Sequence, residues 1–260
     1  MEYLIVCLVA LLVSALTLFS GFGLGTLLMP AFALFFPLPV AIAATAVVHL
    51  ANNIFKVILV GRKADWGVVL RFALPGAVAA MIGAALLSLF AEVAPLVSYS
   101  LGGRDHEITV IKLVIGAIIV LFALFELLPY FNKLAFERKY LPWGGLLSGF
   151  FGGLSGNQGA LRSAFLIKAG LDKEAFIGTG TVSSVIVDAA RLLVYGLSFY
   201  AVSFRGVGDI WGLVLAATLA AFVGAFIGSR LIKKITFRAL QLIVGVMLML
   251  VGLGMATGLL

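Results

Sequence analysis

The chain has little of what a water-soluble fold needs. Charged residues fill 11% of its 260 positions, against about 25% in an ordinary globular domain. Water cannot solvate such a surface, so one or two soluble domains are excluded. Cysteine occurs once, as Cys7, which excludes a disulfide framework and any multi-cysteine metal site. Cys7 lies in an apolar run and reads as a small buried hydrophobe. Histidine occurs only at His49 and His106, and the carboxylates are scattered without ligand spacing, so no metal site and no cofactor are expected. The N-terminus carries Glu2 and no early Lys or Arg. It lacks the basic start of a signal peptide, and residues 1–36 are expected to belong to the mature fold.

What is present points to lipid. Hydrophobic residues make up 63% of the chain, with 30 glycines and 21 phenylalanines, a composition suited to close helix packing and lipid-facing bulk. The formal charge is +7, yet no soluble fold presents it as a basic patch, so nucleic acid is not an expected partner. In a membrane chain an excess of Lys and Arg reports orientation.

Charged clusters cut the sequence into apolar blocks at 3–36, 38–60, 67–91, 108–131, 141–170, 174–201, 209–231 and 239–260. Most approach the ~20 residues that cross a bilayer as helix, and all are too long for barrel strands of ~10 residues. The expected class is an all-α integral membrane protein. The stretch holding His106 reads as a charged loop.

The blocks repeat. Residues 66–86 align without a gap with 211–231, with ten of 21 positions identical, Gly83 and Gly228 among them. Residues 21–61 align with 156–196 more weakly, and polar positions coincide there: His49 with Ser184, Asn53 with Asp188, Lys56 with Arg191. The expected organisation is a duplicated unit: residues 1–131 (hairpin 1–36, helices 38–60, 67–91 and 108–131) and residues 132–260 (hairpin 141–170, helices 174–201, 209–231 and 239–260).

The distribution of cations gives the orientation. Setting aside Lys56, Arg162 and Arg191, eight simple crossings divide the remaining Lys and Arg seven against eight. If 1–36 and 141–170 each dip in and return to the same side, the division becomes twelve against three, the bias that membrane proteins show. This reading inverts the two copies and leaves six crossing helices plus two re-entrant broken hairpins. It places the 62–65, 133–139 and 230–238 loops in the cytoplasm and both termini outside. Both hairpins have a glycine-rich break, at 21–25 and 152–159, and glycine permits the reversal.

The hairpin tips are the expected binding site. Loop backbone at membrane depth must be buried or line a cavity, so the tips should meet near the midplane. Each starts a second half-helix, near Thr26 and near Ala160, whose free N–H groups carry partial positive charge toward an anion. Gly21, Gly23, Gly25 and Thr26, with Gly156, Asn157, Gln158 and Gly159, form the tips; Ser20 and Ser155 add neutral donors.

Ionisable residues inside a membrane are functional candidates. Ser184, Asp188 and Arg191 share one helical face, and His49, Asn53 and Lys56 share another, with Asn52 beside them. Arg191 and Lys56 would attract an anion. Asp188 either holds Arg191 or carries a coupled proton; His49 is a packing residue or a proton relay. Lys56 has a second reading, snorkelling to the interface near Gly61. Arg162, in the first turn after the second tip, sits awkwardly at a positive helix end and requires an anionic partner: substrate, Asp188 or Glu126. No catalytic residue is assigned. Gly153-Leu-Ser-Gly156 spells the motif around the nucleophile of rhomboid-type intramembrane proteases, but in that family the histidine base follows the serine, and the only histidines here are His49, which precedes it, and His106, in a charged loop.

With the duplication and the glycine breaks in view, the chain resembles the TauE/SafE family of sulfite exporters. The resemblance lies in Gly21-Phe-Gly-Leu-Gly-Thr-Leu-Leu-Met-Pro30, in Pro39-Val-Ala-Ile-Ala-Ala-Thr45, and in the basic loop Gly61-Arg-Lys-Ala-Asp-Trp66. It continues in the glycine and Gly-Thr repeats at 149–156 and 178–181, and departs at Asn157-Gln-Gly-Ala160. The resemblance implies secondary transport of a small sulfur-containing anion (sulfite, an organosulfonate or sulfoacetate) across a bacterial-type inner membrane. The alternatives are an anion channel with the same site and, remotely, the intramembrane protease. Expected partners are the small anionic substrate and the lipid bilayer, with a homodimer left open.

Overall fold

The computed structural model of the chain describes residues 1–17, 24–91, 93–128, 135–199, 210–231 and 237–260. Ten α-helices account for most of them: α1 Glu2–Thr17, α2 Leu24–Ala33, α3 Leu38–Val60, α4 Trp66–Ala91, α5 Val110–Leu127, α6 Leu141–Ser155, α7 Gly159–Leu166, α8 Lys173–Phe199, α9 Ile210–Leu231 and α10 Phe237–Ala256. The molecule is an all-α membrane protein. Helices α3, α4, α5, α8 and α9 are each long and apolar enough to cross a bilayer, and α10 adds a sixth helix of 20 residues. By contrast α1, α2, α6 and α7 have 16, 10, 15 and 8 residues, short of the ~20 that one crossing takes.

Local chemistry fixes where several helices begin. Asp65 Oδ1 accepts the Val68 amide at 3.0 Å ahead of α4, and Asp172 Oδ1 accepts the Ala175 amide at 2.8 Å ahead of α8. Thr109 Oγ1 does the same for Lys112 at α5. Each satisfies an amide that the first helical turn leaves without a carbonyl. α3 and α6 begin with Pro at their first positions, where the missing N–H is no loss.

Helices α3 and α8 form the centre. Their apolar windows are 67% and 61% buried, against 39–44% for α4, α5 and α9, and the two pack against each other. Around them α4 packs on α6 and α8, α9 packs on α1 and α3, and α5 pairs with α10. Large apolar side chains such as Leu70, Leu74, Leu197, Leu215 and Leu250 point outward, where lipid covers them.

Two seams are tight enough to demand glycine, and they are reciprocal. A Cβ at Gly83 of α4 would strike the Phe150 carbonyl of α6, and one at Gly228 of α9 would strike the Ala15 carbonyl of α1. Gly83 and Gly228 are equivalent in the sequence alignment. Ala15 and Phe150 are equivalent as well, each six residues before the aligned stretches 21–61 and 156–196. Small residues let helix backbones approach closely inside lipid, where packing rather than water exclusion holds helices together.

One element departs from expectation. The stretch read as a charged loop around His106 is an antiparallel hairpin of β1, Val97–Leu101, and β2, Arg104–Ile108. Its turn is Gly102-Gly103, both with positive φ, a pairing that suits two-residue hairpins. One face carries Val97, Tyr99 and His106, and the other Ser98, Ser100, Asp105 and Glu107. Tyr99 Oη donates to the Thr257 carbonyl at 2.5 Å, so the hairpin rests on the end of α10.

Candidate functional site

The second glycine cluster interrupts the helix, as the sequence predicts. α6 ends at Ser155, Gly156 takes φ 80°, and α7 begins at Gly159. Only glycine adopts that left-handed geometry without strain. The chain then returns along α6: Ser148 Oγ donates to the Gln158 carbonyl at 2.9 Å, and Phe165 lies against Gly144. The amides of Gly159, Ala160 and Leu161 precede the first intrahelical bond of α7, which Arg162 N makes to Gln158 O at 3.1 Å.

The start of α2 meets this break. A Cβ placed on Gly25 would lie 3.2 Å from the Gly156 carbonyl oxygen and 3.5 Å from His49 Cδ2. Gly25 and Thr26 are both buried. Gly21, Gly23 and Ser20 lie outside the described residues.

Asp188 ties these elements together. Fully buried on α8, it receives His49 Nδ1 at 2.6 Å and Asn53 Nδ2 at 3.1 Å from α3, both on Oδ2. Gln158 Nε2 from the break reaches Oδ1 at 2.9 Å. Arg191 Nε and NH2 donate to the same Oδ1 at 3.0 and 2.7 Å. A buried carboxylate needs both a counter-charge and hydrogen bonds to offset lost hydration; Asp188 has each. Arg191 NH1 continues to the Gly152 carbonyl at 2.9 Å, which anchors α8 to the end of α6. Of the two roles read for Asp188, holding Arg191 is the one the contacts display.

The remaining residues named from the sequence fall as follows. Ser184 donates to the Gly180 carbonyl in its own helix. Asn157 donates weakly to Ser155 at 3.4 Å. Arg162 is 4% exposed and lies beside Gly180 of α8; Asp188, one of the three anionic partners expected for it, lies within electrostatic range. Lys56 is 6% exposed and within range of Arg162. Its side chain is therefore buried and does not snorkel. Glu126 abuts Gly245 of α10. Ser155 Oγ donates to the Phe151 carbonyl at 2.9 Å while the imidazole of His49 faces Asp188, so no serine–histidine pair forms among the described residues.

Several partners escaped the sequence reading. Tyr195, one further step along the Ser184–Asp188–Arg191 face, donates its hydroxyl to the Gly153 carbonyl; the same helical spacing would have found it. Ser14 of α1 donates to Asn52 Oδ1 at 3.2 Å. Thr45 Oγ1, Asn52 Nδ2, Asn157 Oδ1 and Ser183 Oγ are buried with no hydrogen-bond partner among the described residues. They lie on α3, the break and α8. Such atoms each lose about 1–3 kcal/mol unless a ligand or water meets them.

These features define a class: a multi-pass α-helical membrane protein with a charged, enclosed centre built beside an interrupted helix. The family follows from the chain as a whole. A family model described as Sulfite exporter TauE/SafE matches residues 6–255, nearly the entire chain, and the chain belongs to that family. It is thus a member of a membrane family that exports sulfite and related anions. Neither the curated proteins nor the solved structures give a match.

Proposed function

We propose that the chain is a secondary transporter of a small sulfur-containing anion such as sulfite, an organosulfonate or sulfoacetate. Access to a site between the two broken helix pairs alternates between the faces of a bacterial-type inner membrane. The observation that carries this reading is the burial of three cations in the centre: Arg191 beside the Gly156 break, Arg162 in the first turn after it, and Lys56 on α3. Cations inside a membrane are rare because each is costly, and they mark substrate paths. Partial positive charge from the starts of α2 and α7 adds to the attraction.

In this reading the duplicated halves, residues 1–131 and 132–260, are inverted repeats, each a re-entrant hairpin followed by three helices. Support comes from the twelve-to-three division of cations and from the reciprocal seams at Gly83 and Gly228. Inverted repeats with discontinuous helices at the midplane suit alternating access. Residues at the tips (Gly21, Gly23, Gly25, Thr26, Gly156, Asn157, Gln158 and Gly159) and Asn53, Lys56 and Arg162 surround the anion. Arg191 acts on it through its field while its nitrogens hold Asp188 and Gly152. Asp188 and His49 are the candidates for proton coupling.

Counter-flow in proteoliposomes tests the function. A carrier preloaded with unlabelled sulfite accumulates labelled sulfite against its gradient, and Arg191→Ala abolishes this. A channel shows flux without trans-stimulation. Flux of every tested sulfur anion unchanged by Arg191→Ala would remove the assigned role.

A further inference from the structure

The imidazole of His49 is bound on one nitrogen and open on the other. Nδ1 lies 2.6 Å from Asp188 Oδ2, a separation that requires a proton between the two atoms, because two lone pairs would repel there. The carboxyl group already accepts two Arg191 nitrogens and Gln158 Nε2 on Oδ1, and Asn53 Nδ2 on Oδ2. A group that accepts on both oxygens, from a guanidinium among others, is a carboxylate rather than an acid. The shared proton therefore belongs to Nδ1, and this fixes which nitrogen of the neutral ring is bare.

That bare nitrogen is Nε2. It makes no hydrogen bond among the described residues, and the side chain keeps 10% of its surface accessible. A histidine buried only for packing would have partners on both nitrogens. A Cβ built on Gly25 would lie 3.8 Å from Nε2 and 3.2 Å from the Gly156 carbonyl oxygen. Nε2 thus lies where the start of α2 meets the glycine break, the place that the transport reading gives to the anion. The charged groups around the ring are Asp188 and Arg191 from α8 and Arg162 from α7. α2 and the described side chains of α9 contribute no titratable group.

We propose that one proton travels with each anion on His49 Nε2, while Asp188 stays ionised and positions the ring. The inference rests on the anion-transport reading and assigns the proton to one of its two candidates. On the loading face a proton from water bonds to the Nε2 lone pair, and the resulting imidazolium donates to the entering anion. Nδ1–H stays on Asp188 throughout. On the opposite face the anion leaves, the H–Nε2 bond breaks and the proton returns to water. Histidine is the side chain whose charge ordinarily changes between about pH 5 and 8, which suits a carrier working near neutrality.

Proton counting in proteoliposomes makes the first test. With a sulfite or sulfoacetate gradient across the membrane, the full-length chain should move protons together with the anion, read by a pH dye in the lumen. His49→Gln keeps a donor for Asp188 but cannot titrate, and it should lower the protons moved about tenfold or more. Anion flux without protons in the unaltered chain overturns the coupling and leaves transport standing. Movement of neither anion overturns the transport reading itself. Proton movement that persists in His49→Gln belongs to the anion and overturns the role of His49. The second test holds even if His49→Gln does not fold. The chain has two histidines, His49 and His106, so His106→Gln on the β1–β2 hairpin leaves one, whose two ring nitrogens are read by nitrogen NMR in bilayers. At about pH 8 Nδ1 should carry a proton and Nε2 none, and Nε2 should gain one as the pH falls to about 5. A bare Nδ1 at the higher pH, or an Nε2 that never takes a proton, overturns the proposal.

Discussion

His49 and Asp188 are separated by 139 residues in sequence and by 2.6 Å in space. The contact joins α3 to α8, the two most enclosed of the long helices, and brings the positions that align in the two halves face to face. Asn53, the sequence counterpart of Asp188, donates to the same oxygen at 3.1 Å. The centre of the molecule is therefore held by side chains that repeat one another's positions.

Asp188→Ala should be the most damaging single change in this cluster. It strands Arg191 in the interior without its carboxylate, a loss of about 3–5 kcal/mol. Combining it with Arg191→Ala should cost less than the two singles added together, with a coupling of about 0.5–3 kcal/mol. Thermal unfolding of the purified protein in detergent gives all three values. Strict additivity would mean that the pair is not energetically coupled.

Gly83→Leu and Gly228→Leu should be damaging to a similar degree, since each drives a side chain into a backbone carbonyl of a neighbouring helix. Overpacking of this kind costs about 1–3 kcal/mol or more. Unfolding temperature and the yield of monodisperse protein report it. A loss at one site and indifference at the other would break the reciprocity of the two seams.

Sidedness can be read by cysteine labelling on a Cys7→Ser background. Lys63→Cys and Lys139→Cys replace exposed side chains and should be protected from an impermeant thiol reagent in right-side-out vesicles. Ser98→Cys, on the exposed face of β1, should react. The same response at all three positions is incompatible with the twelve-to-three orientation.

Ser155→Ala should leave transport intact and reduce stability by no more than about 1 kcal/mol, because its hydroxyl bonds only within α6 and to the weak Asn157 donor. Radiolabelled anion flux in proteoliposomes checks this. Abolished function with unchanged folding would reopen the nucleophile reading of the Gly-x-Ser-Gly motif.

The glycine break at 156 and the charged faces of α3 and α8 were legible because each depends on nearby residues: glycine tolerates the left-handed turn, and spacing of three and four aligns side chains on a helix. The hairpin at 97–108 was also written locally, in Gly102-Gly103 between alternating residues, but its charged letters masked the pattern. Tyr195 continues the spacing of the Ser184–Asp188–Arg191 face and was passed over because it reads as one more aromatic in an apolar run; which carbonyl its hydroxyl meets depends on the packing of α6 against α8.

Transfer of apolar side chains out of water is nearly additive along the chain, so the amino-acid sequence alone determined that this is an all-α membrane protein cut into apolar blocks. Which buried polar groups meet is not additive. It depends on the rotation of each helix about its axis and on how closely glycine seams let backbones approach, quantities set by the whole packed bundle. Only the tertiary structure decided that Asp188 is shared by α3, the break and α8, that Gly25 touches Gly156, and that Lys56 stays inside.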